Sequence, residues 1–409
     1  MADVFTTSWD ATPVRIDAPS HVIAPAPRAT ASVRAAPGED RSVRRCFVND
    51  SLNSRVVRRV QGVAGWQVRW RTGLPPMTTP ICLLTAGDRI VLQALSDWSL
   101  WTTEGRSVAS GPLVRSGVAL DPQTAVYLFA DHAGLIVARR LDDGQRSFAA
   151  GLSYGSSFAR TFVARRGQRL FTVSLEMAQD PHAPEPENTM LEVSDLGDPA
   201  NQKSFGQPDA PVVTADLIRE TRLMVPAMLG DTIVVAVRDW IYSLDLDLHF
   251  HSAITGSFTP RFLSLDEAGR IYLLADASGR TALWQLSPRG ERYYAFVLPS
   301  GVTPSMPAIV GYDHTAYVIA GSHIFSVAGD GKLNWSRAAA GVIAGAAATP
   351  DDLLVVSEGS DIAAYDARGE RRTLHSIRGE QITTAPVFTA SGDLLVATGA
   401  SIYCLTGNN

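Results

Sequence analysis

One pattern of strands and turns recurs eight times along the chain, and it constrains the fold more than any other feature of the sequence. Each copy has a turn, a mostly apolar strand, a bend of small residues and another short strand. The leading turns are at Gly87, Asp121, Gly167, Gly230, Gly269, Asp313, Asp351 and Gly392. They lie 34 to 63 residues apart, with a mean spacing of about 44. A period of this length with several short strands in each unit is typical of a β-propeller, so the sequence predicts an all-β fold.

The last copy shows the pattern within a single blade. We expect an inner strand at residues 384–388. Pro386 lies near its start, where the loss of a backbone N–H donor to the sheet matters least. Gly392 and Asp393 form a turn sequence that tolerates positive φ. Residues 394–399 are almost continuously apolar, as expected for a strand covered on both faces by neighbouring blades. The copies therefore predict four-stranded blades.

One copy resembles the repeat of a known superfamily. Residues 326–335 read Ser-Val-Ala-Gly-Asp-Gly-Lys-Leu-Asn-Trp, which is similar to the tryptophan-docking element A-x-D-x-x-G-x-x-x-W of pyrroloquinoline-quinone-type propellers. Quinoprotein dehydrogenases and a bacterial outer-membrane assembly lipoprotein share this repeat. The resemblance covers about residues 65–409 and implies a propeller. The residues predicted to maintain the repeat or to close the ring are Trp66, Trp70, Gly87, Gly230, Gly269, Asp330, Gly331, Trp335 and Gly392.

The two ends of the repeat region predict how the ring closes. The last copy has no outermost strand, because the sequence stops soon after Leu405. Residues 66–71 alternate with a period of two and precede the first full copy. We expect them to supply the missing strand and to remove the open edge that would remain. The prediction is eight blades, or seven if residues 153–200 are an insertion.

The N-terminal region differs from the repeats in composition. Residues 1–60 are rich in Ala, Pro and Arg, show no sustained period and carry a net charge of +3. We expect a disordered or loosely packed arm over 1–60, followed by the propeller domain over 61–409. An arginine cluster in the arm is a candidate surface for an acidic partner or nucleic acid, and a solvated linker or a helix on the propeller rim is the alternative. Its members are Arg41, Arg44, Arg45, Arg55, Arg58 and Arg59.

A long polar insertion interrupts the third copy. Residues 176–188 are rich in proline and acidic residues, and the 63-residue spacing arises here. Long connections in compact domains are usually functional or disordered. Asp180, Glu185 and Glu187 are therefore candidate partner contacts, and a tolerated surface insertion is the alternative.

The sequence also indicates the compartment. No apolar run typical of a signal peptide or a membrane span is present, so we expect a cytoplasmic protein if residue 1 is the natural start. Cys46, Cys82 and Cys404 give neither a disulfide framework nor a metal-binding spacing. We expect free, buried thiols.

The sequence contains no recognisable catalytic motif. An enzyme of the quinoprotein family would need a catalytic aspartate, calcium ligands and, in many members, adjacent cysteines, and no adjacent cysteines occur here. Acidic residues near strand ends could line a channel but more often satisfy turn amides. They are Asp131, Asp239, Asp276 and Asp366. His249 and His251 share one face of a strand, yet two ligands make a weak metal signal. We therefore predict no cofactor and no metal.

Three functions remain open. The sequence favours a non-catalytic scaffold that binds a protein partner through loops of a rigid ring, within a multiprotein complex. A small-ligand or glycan sensor is the first alternative, and an enzyme with a channel-bound cofactor or metal is the second. Nucleic acid is not an expected partner, because the pI is about 5.9 and no basic stripe is evident outside the arm.

Overall fold

The structure, a computed structural model, describes residues 14–16, 65–76, 78–94, 97–112, 119–121, 126–130, 135–151, 158–166, 169–176, 188–195, 202–205, 227–229, 232–237, 240–247, 250–266, 268–311, 313–349 and 351–407. These residues form strands, turns and loops. The described part of the chain contains no helix, so it has none that could cross a membrane. The predicted all-β class is confirmed.

Two strands precede the first complete sheet, β1 (Val14–Ile16) and β2 (Trp66–Gly73). Blade 1 contains β3 (Pro80–Ala86), β4 (Arg89–Ala94), β5 (Asp97–Thr102) and β6 (Ser107–Pro112). Blade 2 contains β7 (Ala119–Asp121), β8 (Val126–Ala130), β9 (Leu135–Arg140) and β10 (Arg146–Gly151). Blade 3 contains β11 (Phe158–Arg166), β12 (Arg169–Glu176), β13 (Asn188–Asp195) and β14 (Gln202–Phe205). Blade 4 contains β15 (Ala227–Leu229), β16 (Thr232–Val237), β17 (Trp240–Asp245) and β18 (Phe250–Gly256).

Blade 5 contains β19 (Thr259–Leu265), β20 (Ile271–Ala277), β21 (Arg280–Leu286) and β22 (Arg292–Val297). Blade 6 contains β23 (Ile309–Val310), β24 (Ala316–Ala320), β25 (His323–Val327) and β26 (Leu333–Ala338). Blade 7 contains β27 (Ile343–Ala348), β28 (Leu354–Glu358), β29 (Asp361–Tyr365) and β30 (Arg371–Ser376). Blade 8 contains β31 (Val387–Phe388), β32 (Leu394–Ala397) and β33 (Ser401–Gly407), together with β2.

The eight sheets share one topology. In blades 1 to 7 the four repeat strands pair antiparallel in chain order, from an inner first strand to an outer fourth strand, and in blade 8 β2 takes the outer position. The segment that could have been an insertion, residues 153–200, contributes three strands to blade 3. Its long polar excursion is the connection between β12 and β13, which lies outside the described residues.

The second strand of each well-described blade is buried along its length. All residues of β24 and β28 are buried, including Ser357 and Glu358 at the end of β28. The outer strands are more exposed, and β30 carries the exposed pair Arg371 and Arg372. Neighbouring blades therefore cover the central strands on both faces, and the outer strands are the more exposed ones.

The turns between first and second strands repeat one hydrogen-bonded geometry. In blade 5 the Asp266 N–H donates to the Arg270 carbonyl at 3.2 Å, and the Gly269 N–H donates to the Asp266 carbonyl at 3.0 Å. The residue at the Gly269 position has a left-handed backbone. In blades 6 and 7 that residue is His314 (φ 66°) and Asp352 (φ 58°), one position after the aspartates that mark these turns in the sequence.

Side chains on outer strands pack against a turn of the next blade. Trp335 on β26 lies on Gly369, in the turn between β29 and β30 of blade 7. Trp70 on β2 lies in the same way on Gly105 of blade 1. Tyr294 of blade 5 takes the equivalent position against blade 6. The docking element that the sequence suggests at Trp335 is therefore an inter-blade contact.

The apolar core consists of layers between adjacent blades. Blades 6 and 7 share a cluster that contains Tyr317, Trp335 and Tyr365. Blades 5 and 6 share one that contains Tyr272 and Phe325. Comparable clusters join blade 1 to 2, blade 4 to 5, blade 7 to 8 and blade 8 to 1. Each blade is thus stabilised mainly by its neighbours, as in other repeat folds.

The strand predicted to complete the last blade is present. β2 pairs antiparallel with β33, with Trp66 opposite Gly407 and Gly73 opposite Ser401. Blade 8 in turn contacts blade 1, where the Thr85 hydroxyl donates to the Phe388 carbonyl at 3.1 Å. The first and last parts of the repeat region therefore meet in one sheet.

Candidate functional site

The residues predicted to contact a partner lie outside the described part of the chain. They are Arg41, Arg44, Arg45, Arg55, Arg58, Arg59, Asp180, Glu185 and Glu187. Their role stays a prediction.

Most residues predicted to maintain the repeat can be located. Gly87, Gly269, Gly331 and Gly392 all have positive φ in turns, whereas Gly230 lies outside the described residues. These turns explain why glycine recurs at a fixed place in the sequence pattern.

The predicted aromatic positions are packing residues. Trp66 is buried and packs edge-on against Phe388, with ring centroids 6.3 Å apart. Trp335 is buried and stacks on Tyr365 with centroids 5.9 Å apart. Asp330 accepts hydrogen bonds from the Lys332 backbone N–H and ammonium group, so it orders the docking turn.

A cavity in the described part of the chain lies between blades 4 and 5. It is an open cleft of about 530 Å³ on the propeller face that carries the connections between blades. The β18–β19 connection forms one wall and the β20–β21 turn forms the other. The lining residues are Thr255, Gly256, Ser257, Phe258, Thr259, Asp276, Ala277, Ser278 and Gly279.

The cleft has an apolar base and polar walls. Phe258 is buried and packs edge-on against Trp284 of blade 5, with ring centroids 5.0 Å apart. This contact anchors the β18–β19 connection. Ser257, Thr259 and Ser278 are exposed, so their hydroxyl groups face solvent at the rim.

Asp276 is the charged residue of the cleft, and two neighbours fix its carboxylate. Arg261 Nε donates to Asp276 Oδ2 at 2.7 Å, and the Thr281 hydroxyl donates to Oδ1 at 2.6 Å. Burial alone would raise the pKa of Asp276, but the hydrogen bonds from Arg261 and Thr281 outweigh burial and lower it. The carboxylate is therefore ionised and paired at neutral pH.

The N-terminal strand lies beside this cleft. β1 pairs parallel with the outer strand β18, with Arg15 opposite Thr255 and Ile16 opposite Gly256. Thr255 and Gly256 also line the cleft. The sheet of blade 4 consequently has five strands rather than the four that the repeat predicts.

The strand-end aspartates and the histidine pair singled out in the sequence form no recognisable site where they are described. Asp366 accepts hydrogen bonds from the Arg368 and Glu370 backbone N–H groups, as expected of a turn residue. His251 is exposed, and Asp131, Asp239 and His249 lie outside the described side chains. The described residues contain no cluster of three or more metal-ligating side chains.

The inner strands whose side chains are described lack the carboxylates that the cofactor of the repeat family would use. Among the strands whose side chains are described, β3, β19, β23, β27 and β31 contain no carboxylate. Their single charged residue is Arg261, which is paired with Asp276. These strands therefore supply no carboxylate ligand for a calcium-bound quinone. Cys82 and Cys404 are buried thiols that form no disulfide, and burial raises the pKa of Cys404 to about 12.

Sequence reasoning misses most of the cleft. Asp276 stands out in the sequence only as a strand-end aspartate, and Arg261, Ser257 and Thr259 give no signal. The cleft depends on the packing of the β18–β19 connection against the β20–β21 turn, which are about 20 residues apart in sequence. The one local signal is the Ser278–Gly279 turn, where both residues have positive φ.

Comparison with known proteins identifies the fold and not a family. No family model matches the chain, and no curated protein matches its sequence. Among solved structures, BamB from Moraxella catarrhalis matches with a TM-score of 0.59 at 10% identity, over 84% of this chain and 100% of that one. The Dos1 propeller matches with a TM-score of 0.62 at 10% identity, over 85% and 96% of the two chains.

A third match is an enzyme, the quinohemoprotein alcohol dehydrogenase ADHIIG from Pseudomonas putida HK5. Its TM-score is 0.60 at 10% identity, over 88% of this chain and 80% of that one. The resemblance to the quinoprotein-type propeller is thus confirmed at the level of the fold. Identities this low carry no information about the site.

Proposed function

We propose that this chain is a non-catalytic scaffold, a cytoplasmic propeller that binds a protein partner on the face carrying the inter-blade connections. The observation that carries the proposal is the cleft between blades 4 and 5. It is open to solvent, has polar walls on a rigid base and contains a carboxylate that is already paired. Such a site offers hydrogen bonds and shape, but no free nucleophile or base.

The rigidity of the cleft supports a binding role. Phe258 and Trp284 anchor one wall from below, and Arg261 and Thr281 fix Asp276 in the other. A surface whose side chains are held before binding loses little conformational entropy when a partner docks. The arginine cluster of the arm and the acidic loop of blade 3 complete the proposal as charged contacts around this face.

Substitutions at the rim of the cleft test the proposal. We expect S257R/T259R to weaken partner capture from the native cytoplasm at least tenfold, because two long cationic side chains would fill the opening. S300R is the matched control, since Ser300 is exposed between blades 5 and 6 and does not line the cleft. Quantitative mass spectrometry of the captured proteins, followed by titration of the purified partner, gives the readout. Equal capture by both variants and the wild type would refute a role of the cleft.

A small-ligand sensor is the second candidate, because a cleft of about 530 Å³ lies within the usual size range of ligand pockets. A glycan would normally stack on an exposed aromatic ring, and the aromatic residue here, Phe258, is buried. Native mass spectrometry of the purified protein distinguishes the candidates. A small molecule that is retained by the wild type and lost in S257R/T259R would favour the sensor.

A further inference from the structure

The outer strand of blade 4 differs from those of the other blades. Outer strands expose unpaired backbone groups, and proteins usually protect such edges with charged residues or proline. Seven of the eight described outer strands follow this rule. They contain Pro112 (β6), Arg146 (β10), Lys203 (β14), Arg292 (β22), Arg337 (β26), Arg371 (β30) and Arg69 (β2). β18, with the sequence Phe-His-Ser-Ala-Ile-Thr-Gly, has neither a charged residue nor a proline.

This unprotected edge is the one that receives an extra strand. β1 runs parallel to β18, in the register Val14–Ile254, Arg15–Thr255 and Ile16–Gly256. In the sequence, Pro13 directly precedes β1 and Pro19 follows three residues after it. Because proline cannot donate to a ladder, the two prolines limit the pairing segment to a few residues.

The direction of β1 links this edge to the cleft. A parallel strand leaves the edge at the same end as β18, and that end is Gly256, which lines the cleft. An extended segment paired with β18 is therefore directed towards the polar walls that Ser257 and Thr259 provide. The edge and the cleft form one continuous surface.

We propose that the outer edge of β18 is a strand-accepting surface for an extended peptide segment that runs parallel to it, and that residues 14–16 of this chain occupy the edge in cis. Recognition through backbone N–H and C=O groups gives affinity without requiring a particular side chain. A partner segment in the same register competes with β1 for the edge. Competition between β1 and a partner segment rests on the proposed function. The pairing of β1 with β18 does not.

The length of β1 suits a replaceable occupant. Strands in proteins usually have about five or six residues, and β1 has three. Because β1 belongs to the same chain as β18, its local concentration at the edge exceeds that of a free peptide, which compensates for few hydrogen bonds. β1 therefore covers the edge and is displaced by a longer segment.

Hydrogen exchange of the full-length protein tests the occupied edge. We expect Arg15→Pro to increase deuterium uptake at least fivefold in peptides that cover Phe250–Gly256, because proline removes a central amide from β1. Arg15→Ala keeps that amide and should match the wild type. Blades 6 to 8 report on overall folding and should exchange equally in all three proteins. Equal uptake at β18 in R15P and the wild type would overturn the pairing.

Binding of a synthetic peptide of residues 8–20 tests the competition. We expect fluorescence anisotropy to give at least tenfold tighter binding to R15P than to the wild type, because the resident strand no longer competes. Equal affinities would overturn replacement of β1. Protection of β18 that rises with protein concentration, together with dimers in sedimentation, would overturn the cis assignment and identify a second copy as the occupant. Neither hydrogen exchange nor peptide binding uses the cellular partner. Both measurements can therefore be interpreted even if S257R/T259R does not change partner capture.

Discussion

The indole ring of Trp335 covers Gly369 so closely that a Cβ atom at residue 369 would lie 2.7 Å from the indole Cδ2. Gly369 also has a φ of 75°. Two independent constraints therefore require glycine at this position, where blade 6 meets blade 7.

Gly369→Ala should destabilise the protein by more than the backbone cost alone. A left-handed backbone costs an alanine about 1–2 kcal/mol, and overpacking against Trp335 should add about 1–3 kcal/mol. Gly379→Ala is the matched control, since Gly379 has a φ of 78° but a Cβ atom there would meet no heavy atom within 4 Å. Urea unfolding gives the loss of unfolding free energy in each variant. Equal losses in G369A and G379A would show that the Trp335 contact does not contribute to the need for glycine at residue 369.

Trp70→Phe should weaken the junction between blade 8 and blade 1. Trp70 Nε1 donates to the Thr103 carbonyl at 2.7 Å, and its ring lies on Gly105. Phenylalanine keeps part of the packing and loses the hydrogen bond, so we expect a loss of about 2 kcal/mol in unfolding free energy. Val68→Ala on the same strand should stay within about 0.5 kcal/mol, because Val68 is 42% exposed. Thermal unfolding followed by far-ultraviolet circular dichroism compares them.

Glu380 should make stability depend on pH through its contacts with β2 and β33. Burial alone would raise the pKa of Glu380. Hydrogen bonds from Thr398 and Tyr403, followed by the charge of Arg71, outweigh burial and lower it below its ordinary value of 4.5. Since the folded state binds the proton less tightly than the unfolded chain, the stabilisation is present above pH 4.5 and is lost as the pH falls.

Glu380→Gln should accordingly flatten the acid limb of the stability curve. We expect the variant to lose about 1 kcal/mol at about pH 7 and to approach the wild type in acid. Denaturant unfolding across the range from neutral to acid pH measures both curves, and Glu291→Gln, an exposed carboxylate, is the control. Parallel curves for E380Q and the wild type would contradict the assigned role.

The buried carboxylate of Glu358 should be among the most sensitive polar groups of blade 7. It is fully buried, pairs with Arg371 at 2.5 Å and accepts the Tyr365 hydroxyl at 2.8 Å. Glu358→Gln removes the buried anion and leaves the Arg371 guanidinium with Asp361 as its remaining acidic partner, so it should cost about 2–4 kcal/mol. Asp361→Asn removes the more exposed partner of the same guanidinium and should cost less than about 1 kcal/mol. A double-mutant cycle of E358Q with R371Q should give a coupling energy of at least about 1 kcal/mol.

The repeat pattern predicts much of the fold because its determinants are local. Gly392 and Gly331 mark turns that need positive φ, and the apolar run at 394–397 marks a strand buried on both faces. The sequence does not reveal that Tyr294 occupies the place of Trp335 in the preceding blade. Packing against a glycine needs a flat side chain. The sequence alone does not show which aromatic side chains contact a turn of the next blade.

The site is harder to predict than the fold for the same reason. Asp276 and Arg261 are 15 positions apart and form no motif, because their pairing depends on the register of β19 with β20. The absence of charge in β18 is visible in the sequence. Its meaning becomes clear only once the strand is known to be an outer one.

The junction between β2 and β33 sets the order in which the molecule can mature. Arg69 and Asp393 form an ion pair across it, although they are 324 positions apart. During synthesis, β2 is made more than 300 residues before its neighbour β33. Contacts between such distant segments form slowly. Until then both blade 8 and β2 keep unpaired edges that can join other chains. Pairing of β33 with β2 therefore also closes two open strand edges, and we expect mutations in β33 to lower the yield of soluble protein first.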